Sequence, residues 1–212
     1  MSNLDFIYRR KSIRQFKEGA VPKEDIIKML EAATQAPSPK HQQNWHFVVL
    51  QRKELIQQLR DVVAKSHTEI GDMARSEEEK ANYMKLLKYY TCFEHAPVVV
   101  IVYAKDYEMI EYHILKENGA SQERLTELLS AQSGAQGIGA AVENFLLAAS
   151  EMGYGACYMT GPTHAKNEVE KLIGFEKEGY HLMSLIALGV PADKTYPAPK
   201  RKPLEDVTTF ID

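Results

Sequence analysis

The chain has 212 residues, 44% hydrophobic and 26% charged, which is the balance of a soluble globular protein. A net charge of −3 gives no global attraction to nucleic acid or to an acidic membrane surface. Two cysteines, Cys92 and Cys157, lie too far apart in sequence for a metal or redox motif and are too few for a disulfide scaffold, so a reducing cytoplasm is the expected compartment. The first residues, MSNLDFIYRRKSIRQF, lack the apolar core of a secretory signal, and no run approaches the roughly 18 apolar residues that span a bilayer. Without repeats or a Gly/Ser linker, the expectation is one domain over residues 1–212.

Pro22 stands where a helix can begin, and Ile26, Ile27, Leu30, Ala33 and Thr34 follow at helical spacing. That helix should stop before Pro37, because the residue ahead of a proline avoids the helical region. Ala36-Pro37-Ser38-Pro39 then reads as a stiff loop. Trp45 to Gln51 is rich in β-branched and aromatic residues and predicts a strand, with Trp45 as a core anchor. Lys53 to Lys65 reads as a helix, and Ser66 to Phe93 as further helix with a loose start. Pro97 to Ala104 is a continuous apolar run, as expected of a central strand covered on both faces. Lys105 to Ser133 is polar and helical in pieces. It is either a lid over the site or a solvated excursion.

Ile138, Ala141, Val142, Phe145, Leu146, Ala149 and Met152 recur at three- and four-residue steps and mark a largely buried helix, closed by Gly153 and Gly155. Gly155 to Met159 reads as a short strand, Gly161-Pro162 as a turn, Ala165 to Ile173 as a helix, and His181 to Gly189 as a buried strand. The prolines at 191, 197, 199 and 203 forbid regular structure in the tail. Val207 to Ile211 can pair as a strand, and so little chain stands beside it that another subunit is the natural partner. Helices and strands mix without strict alternation, which predicts an α+β fold with helices on both sides of one sheet.

Two basic clusters lie at opposite ends of the chain, Arg9 to Arg14 and Lys200-Arg201-Lys202. Guanidinium forks, ammonium groups and a hydroxyl are the chemistry of phosphate recognition, although spacing alone favours two solvated patches over a shared phosphate site. The loop from Ala36 to Trp45 presents amides and a hydroxyl between prolines and a strand, and can serve a planar ligand or be a plain connection. Gly137-Ile138-Gly139 sits inside a helical pattern, follows no strand, and is read as helix packing rather than a dinucleotide loop. The seven histidines show no metal spacing, and no nucleophile elbow appears.

These segments, in this order, resemble the nitroreductase family. RRKSIRQF, then a helix, then APSPKHQQNWHFVVL is similar to the family's paired N-terminal signature. AASEMGYGACYMTGP is similar to its helix, glycine turn and strand, and GVPADKTYPAPKRKPLEDV to its basic, Lys-Pro-Leu-Glu ending. The resemblance implies a three-layer α-β-α fold around a central mixed, mainly antiparallel sheet. It also implies a homodimer with FMN at the subunit interface, NADH or NADPH as electron donor, and a small-molecule acceptor such as a nitroaromatic or a quinone.

By position, the resemblance assigns Arg10 and Ser12 to the flavin phosphate and ribityl chain, with Lys11 lending backbone and charge. Arg14 falls beside the pyrimidine, where a cation stabilises the negative charge of reduced flavin. Pro37 and Ser38 match a loop that reaches the partner's flavin, Gln43 an amide position, and Thr160 and Gly161 the loop over N5. Lys200 and Lys202, with Arg201 as an alternative, match a second set of phosphate ligands. No side chain is catalytic in the strict sense, since flavin N5 carries hydride in a ping-pong exchange at one site. Asn44 replaces the family's Pro before the tryptophan, which removes a stiffening ring. Mid-chain pyrimidine contacts have only candidates, Asn82, Lys85 and Lys88. A flavin store or sensor without turnover, a non-flavin domain whose basic clusters bind acidic partners, a reductive dehalogenase and a flavin-modifying relative are the competing functions.

Overall fold

The structure is a computed structural model that describes residues 3–192 and 199–211. Its centre is a four-stranded antiparallel sheet in the order β1-β2-β4-β3, with β1 at Trp45–Leu50, β2 at Val98–Lys105, β3 at Gly155–Met159 and β4 at Tyr180–Gly189. Strand β2 reads VVVIVYAK because both of its faces are covered. Val98, Val100 and Val102 enter one apolar cluster, and Val99, Ile101 and Tyr103 the other.

The first layer is α2 (Lys23–Thr34) with α8 (Ser133–Glu151). Met29, Ala33, Ala141, Val142 and Phe145 are fully buried there against the sheet. The opposite layer is α3 (Lys53–Asp72), the short α5 (Leu87–Tyr90) and α9 (Lys166–Ile173), with Ile56, Leu59, Val63 and Val169 buried. The fold is therefore the expected α+β three-layer arrangement. Its parallel component is a single bridge, Ser12 beside Ala156.

Helix α3 runs seven residues past the expected Lys65, because Ser66, His67 and Gly71 are buried although polar or small. A break at Met73–Arg75 follows, and Ser76 caps the next helix, α4 (Glu77–Met84), by accepting from the Glu79 N–H at 3.1 Å. Helices α6 (Ile110–Glu117) and α7 (Gln122–Leu129) are the helical pieces of the polar segment after β2. Val207 to Ile211 is not a strand here, and every described residue from Pro199 to Ile211 is exposed. Among the described residues, β1 pairs only with β2, so its outer edge is open.

Candidate functional site

After α1 (Asp5–Arg9) the chain straightens, Arg10 taking φ −62 and ψ 130. It then lies along β3, where the Ile13 N–H donates to the Ala156 carbonyl at 2.9 Å. Lys17 N to Val190 O at 2.8 Å and Ala192 N to Gln15 O at 3.0 Å extend that attachment. Ile13 is buried, and a Cβ on Gly155 would sit 2.7 Å from it, so Gly155 makes the space Ile13 fills. Extended backbone alternates its side chains, so with Ile13 inward, Ser12 and Arg14 both emerge outward.

Arg10 belongs to the same outward series, and its Nε lies 3.1 Å from Glu143 Oε1 of α8. Lys11 sits between them, half-buried. The Arg14 guanidinium lies 6.0 Å from the Tyr89 ring centre, and Lys88 Nζ lies 5.1 Å from the same ring. Tyr89 thus ties α5 to the basic edge. Two of the mid-chain candidates are linked to each other, Lys85 Nζ donating to Asn82 Oδ1 at 2.8 Å.

The Ala36–Trp45 loop is fixed by contacts the sequence does not announce. Lys40, His41 and Gln43 all have positive φ, at 47, 56 and 46°, a conformation that costs a non-glycine residue about 1–3 kcal/mol each and persists only where surroundings enforce it. Ser38 Oγ accepts from the Gln43 N–H at 3.0 Å, and the Gln43 side-chain amide donates to His41 Nε2 at 3.0 Å. Asn44 does not loosen the loop. It is buried, its side-chain amide donates to Lys105 O at 2.7 Å, its backbone carbonyl accepts from the Lys105 N–H at 2.9 Å, and its side-chain Oδ1 is buried without a partner among the described residues. Gly137 lets α8 approach the loop, since a Cβ there would lie 3.1 Å from Pro39 Cδ and 3.6 Å from Ser38 Cα. The helix-packing reading of Gly137-Ile138-Gly139 thus has a specific partner.

Thr160 is exposed at the end of β3, and its carbonyl accepts from the Thr163 N–H at 3.1 Å and hydroxyl at 2.7 Å. Gly161 presses on the Tyr90 ring so closely that a Cβ would fall 2.3 Å from it. Behind this turn lies a cluster of rings. His67 stacks on Tyr83 at 4.1 Å between centroids, meets Tyr90 edge-on at 5.2 Å, and lies 5.6 Å from His164. His67 Nε2 is hydrogen-bonded to the Tyr83 carbonyl at 3.2 Å and His164 Nδ1 to Ser66 Oγ at 3.0 Å. His67 Nδ1 and His164 Nε2 are buried without a partner. Burial pushes both imidazoles below their ordinary value.

A cavity of about 680 Å³ opens beneath the segment after β2 and includes Asn44, Tyr107, Tyr112, His113, Gly134 and Met183 in its lining. The start of that segment is tied to the loop. Gln42 Nε2 donates to Glu108 O at 2.9 Å, Gln42 Oε1 accepts from the Glu108 N–H at 3.1 Å, and Lys40 pairs with Glu111 at 3.2 Å. The reading of individual residues missed Glu143, Tyr89 and this stitching, since each links chain segments far apart in sequence.

The C-terminal basic cluster stands apart from the rest. Lys200, Arg201 and Lys202 are exposed on an arm whose described residues are all exposed. Arg10 and the Pro37–Ser38 loop are also kept apart within one chain. Glu143 and Gly137 are six residues apart on α8, a net rotation of about 240° and a rise of about 9 Å, so they address different sides of that helix. Among the described residues no cluster of three or more His, Cys, Asp or Glu is placed to hold a metal ion, and no helix is long and apolar enough to cross a membrane.

Comparison with known proteins agrees with this architecture. A crystal structure of a BluB-like flavoprotein from Clostridium difficile 630 superposes with a TM-score of 0.94 at 40% identity, covering 100% of both chains. The iodotyrosine deiodinase of Thermotoga neapolitana is 26% identical over 207 residues, 97% of each sequence. A crystal structure of oxidized iodotyrosine deiodinase bound to FMN and 3-iodo-L-tyrosine matches with a TM-score of 0.69 at 25% identity, over 97% of this chain and 98% of that one. The family model described as Nitroreductase family matches residues 7–190, which include the basic edge, the loop, the sheet and the Thr160 turn, and the chain belongs to that family.

Proposed function

We propose that the protein is an FMN-dependent oxidoreductase that takes reducing equivalents from NADH or NADPH and passes them to a small acceptor such as a nitroaromatic or a quinone. The observation that carries this reading is the outward series Arg10, Ser12, Arg14 on a segment bonded to β3. Four residues of extended chain set the Arg10 and Arg14 backbones roughly 13 Å apart, with the Ser12 hydroxyl between them. That spacing suits a ligand with a phosphate at one end, a polyol in the middle and a polar ring at the other. The residues fit FMN on a structural ground as well: Ile13, buried against Gly155, holds the backbone between the two arginines rigid, so donors are ordered before a ligand arrives.

In this reading Arg10 and Lys11 hold the phosphate, Ser12 the ribityl chain, and Arg14, steadied by Tyr89, the pyrimidine edge. FMN held there would supply the redox chemistry between nicotinamide and acceptor, while these residues would bind and orient it. The Thr160–Gly161 turn lines the site. Residues 105–133 form the lid, fastened at its root by Gln42 and Asn44.

The site belongs to a homodimer. Pro37, Ser38 and Gln43 lie on the other side of α8 from Arg10, so they serve the partner's FMN. Lys200, Arg201 and Lys202 arrive at the phosphate on an arm that leaves its own subunit. Leu204, Val207, Phe210 and Ile211 on that arm are between 61 and 93% exposed, and the open edge of β1 offers a second copy's arm backbone partners. The deciding experiment is a visible spectrum of the FMN-reconstituted protein followed by anaerobic titration with each nicotinamide. A flavin band that bleaches with NADH or NADPH and returns with a quinone is expected. A protein that retains no flavin defeats the reading, and one that retains it but is bleached by neither nucleotide is a store or sensor.

A second reading, reductive dehalogenation, is favoured by the end-to-end similarity to the Thermotoga neapolitana iodotyrosine deiodinase. Iodide release from 3-iodo-L-tyrosine by the dithionite-reduced protein separates it from the first.

A further inference from the structure

We propose that Cys92 and Cys157 form a reversible intrachain disulfide in response to hydroperoxides, making the wall behind Arg14 an oxidation site. Far apart in sequence, the two thiols meet in the fold. Cys157 points from β3 into the lower apolar cluster, on the same face of the strand as Met159, and Cys92 packs onto that cluster from the turn after α5. Cys92 Sγ lies 3.4 Å from Met159 Sδ, so Cys92 reaches the strand face that Cys157 and Met159 share. With Cys92 as its neighbour and the Arg14 charge nearby, Cys157 is the thiol drawn down, while Cys92 is driven up. Cys157 is 1% exposed, but Cys92 is half-buried and gives a small oxidant a route in.

The chemistry balances with a peroxide as the named oxidant. A thiolate of the pair attacks one peroxide oxygen, the O–O bond breaks, and the departing oxygen takes a proton, leaving a sulfenic acid and water (alcohol from an alkyl peroxide). The second sulfur then attacks the sulfenyl sulfur, the S–S bond forms, and a second water leaves. Both thiols are oxidised and the peroxide is reduced. The product removes the ionisable thiol beside Arg14.

The test uses the full chain, treated with hydrogen peroxide and then denatured for thiol counting. The chain has two cysteines, and the count is expected to fall from two to none per chain and to return with dithiothreitol, with peptide mapping showing Cys92 joined to Cys157 in a monomeric species. Cys92→Ser and Cys157→Ser should each lose the link and add oxygen at the remaining thiol. Two surviving thiols, independent oxygen addition at both cysteines of the unsubstituted protein, or cross-links only between chains each overturn the proposal. The Cys92→Ser variant alone suffices should the buried Cys157→Ser fail to fold.

Discussion

Arg10 Nε lies 3.1 Å from Glu143 Oε1, so the first cation of the basic edge already has a carboxylate on α8. A bound phosphate competes with that carboxylate for the same guanidinium. Arg10→Ala should weaken FMN binding by ~1.5–3 kcal/mol, the worth of a charge-assisted hydrogen bond, which is roughly 10- to 150-fold in Kd. Glu143→Gln should act in the opposite direction, tightening FMN several-fold at low salt and less at high salt, as screening requires. Fluorescence quenching of FMN across a protein titration reads both. Unchanged retention in Arg10→Ala counts against the phosphate assignment.

The rings of His67 and His164 predict an acid-sensitive fold. Burial is the leading cause holding both below 6.5; the bond to the Tyr83 carbonyl partly opposes it at His67, while His67 itself pushes His164 further down. Protons therefore bind the unfolded chain first as pH falls through about 6.5, and stability rises with pH across the window below that value. Melting temperatures should be flat from pH 8 to 7 and drop toward pH 5. His67→Gln should flatten that slope whatever its effect at neutral pH. A slope identical to that of the unsubstituted protein removes His67 from the account.

Gly161 has no room for a methyl group, with the Tyr90 ring 2.3 Å from where its Cβ would be. Gly161→Ala should destabilise by ~1–3 kcal/mol through overpacking. Combined with Tyr90→Ala, the loss should be smaller than the sum of the two single losses, because the clash no longer exists. Additive effects in denaturant unfolding would show that the contact is not the cause.

Gln42 is one of the side chains that tie the start of residues 105–133 to the Ala36–Trp45 loop. Gln42 makes two hydrogen bonds to the Glu108 backbone, each worth about 1 kcal/mol net. Gln42→Ala should speed proteolytic nicking within residues 105–133 several-fold while leaving the main melting transition near its original position, since α6 and α7 bury little: of their residues only Leu125 is buried. An unchanged nicking rate means the segment is held by other contacts.

The exposed arm predicts a concentration-dependent assembly. Val207→Asp with Phe210→Asp should convert a dimer into a monomer by light scattering and reduce FMN retention, with the far-ultraviolet spectrum preserved, because neither residue is packed in its own subunit. A dimer that survives both charges places the interface elsewhere.

Much of this architecture was legible because periodicity reports burial. The run at 97–104 and the strand at 155–159 appear within a residue or two, and the three- and four-residue steps from Ile138 to Met152 lie in a helix that begins five residues earlier, at Ser133. The end of α3 did not, since buried His67 and Ser66 continue a helix whose polar sequence argues for stopping. The basic edge was visible as composition, and the resemblance gave its residues roles. Its geometry was not visible, since the Glu143 contact, the Tyr89 platform and the left-handed backbone at Lys40, His41 and Gln43 arise from tertiary packing. Asn44 shows the limit of pattern matching. The missing proline ring suggested a softer loop, yet the Asn44 side chain donates to the Lys105 carbonyl, a bond that a proline cannot make.

Strand β1 carries the sequence WHFVVL with one flank of its backbone open. Six such residues, five of them apolar and none of them proline, are a template that an extended peptide can join. An uncovered β1 edge is thus a sticky surface, and in the proposed dimer a second copy would cover it. Dilution, slow assembly or a damaged tail should be felt first as precipitation and proteolytic turnover, before any loss of chemistry at the basic edge.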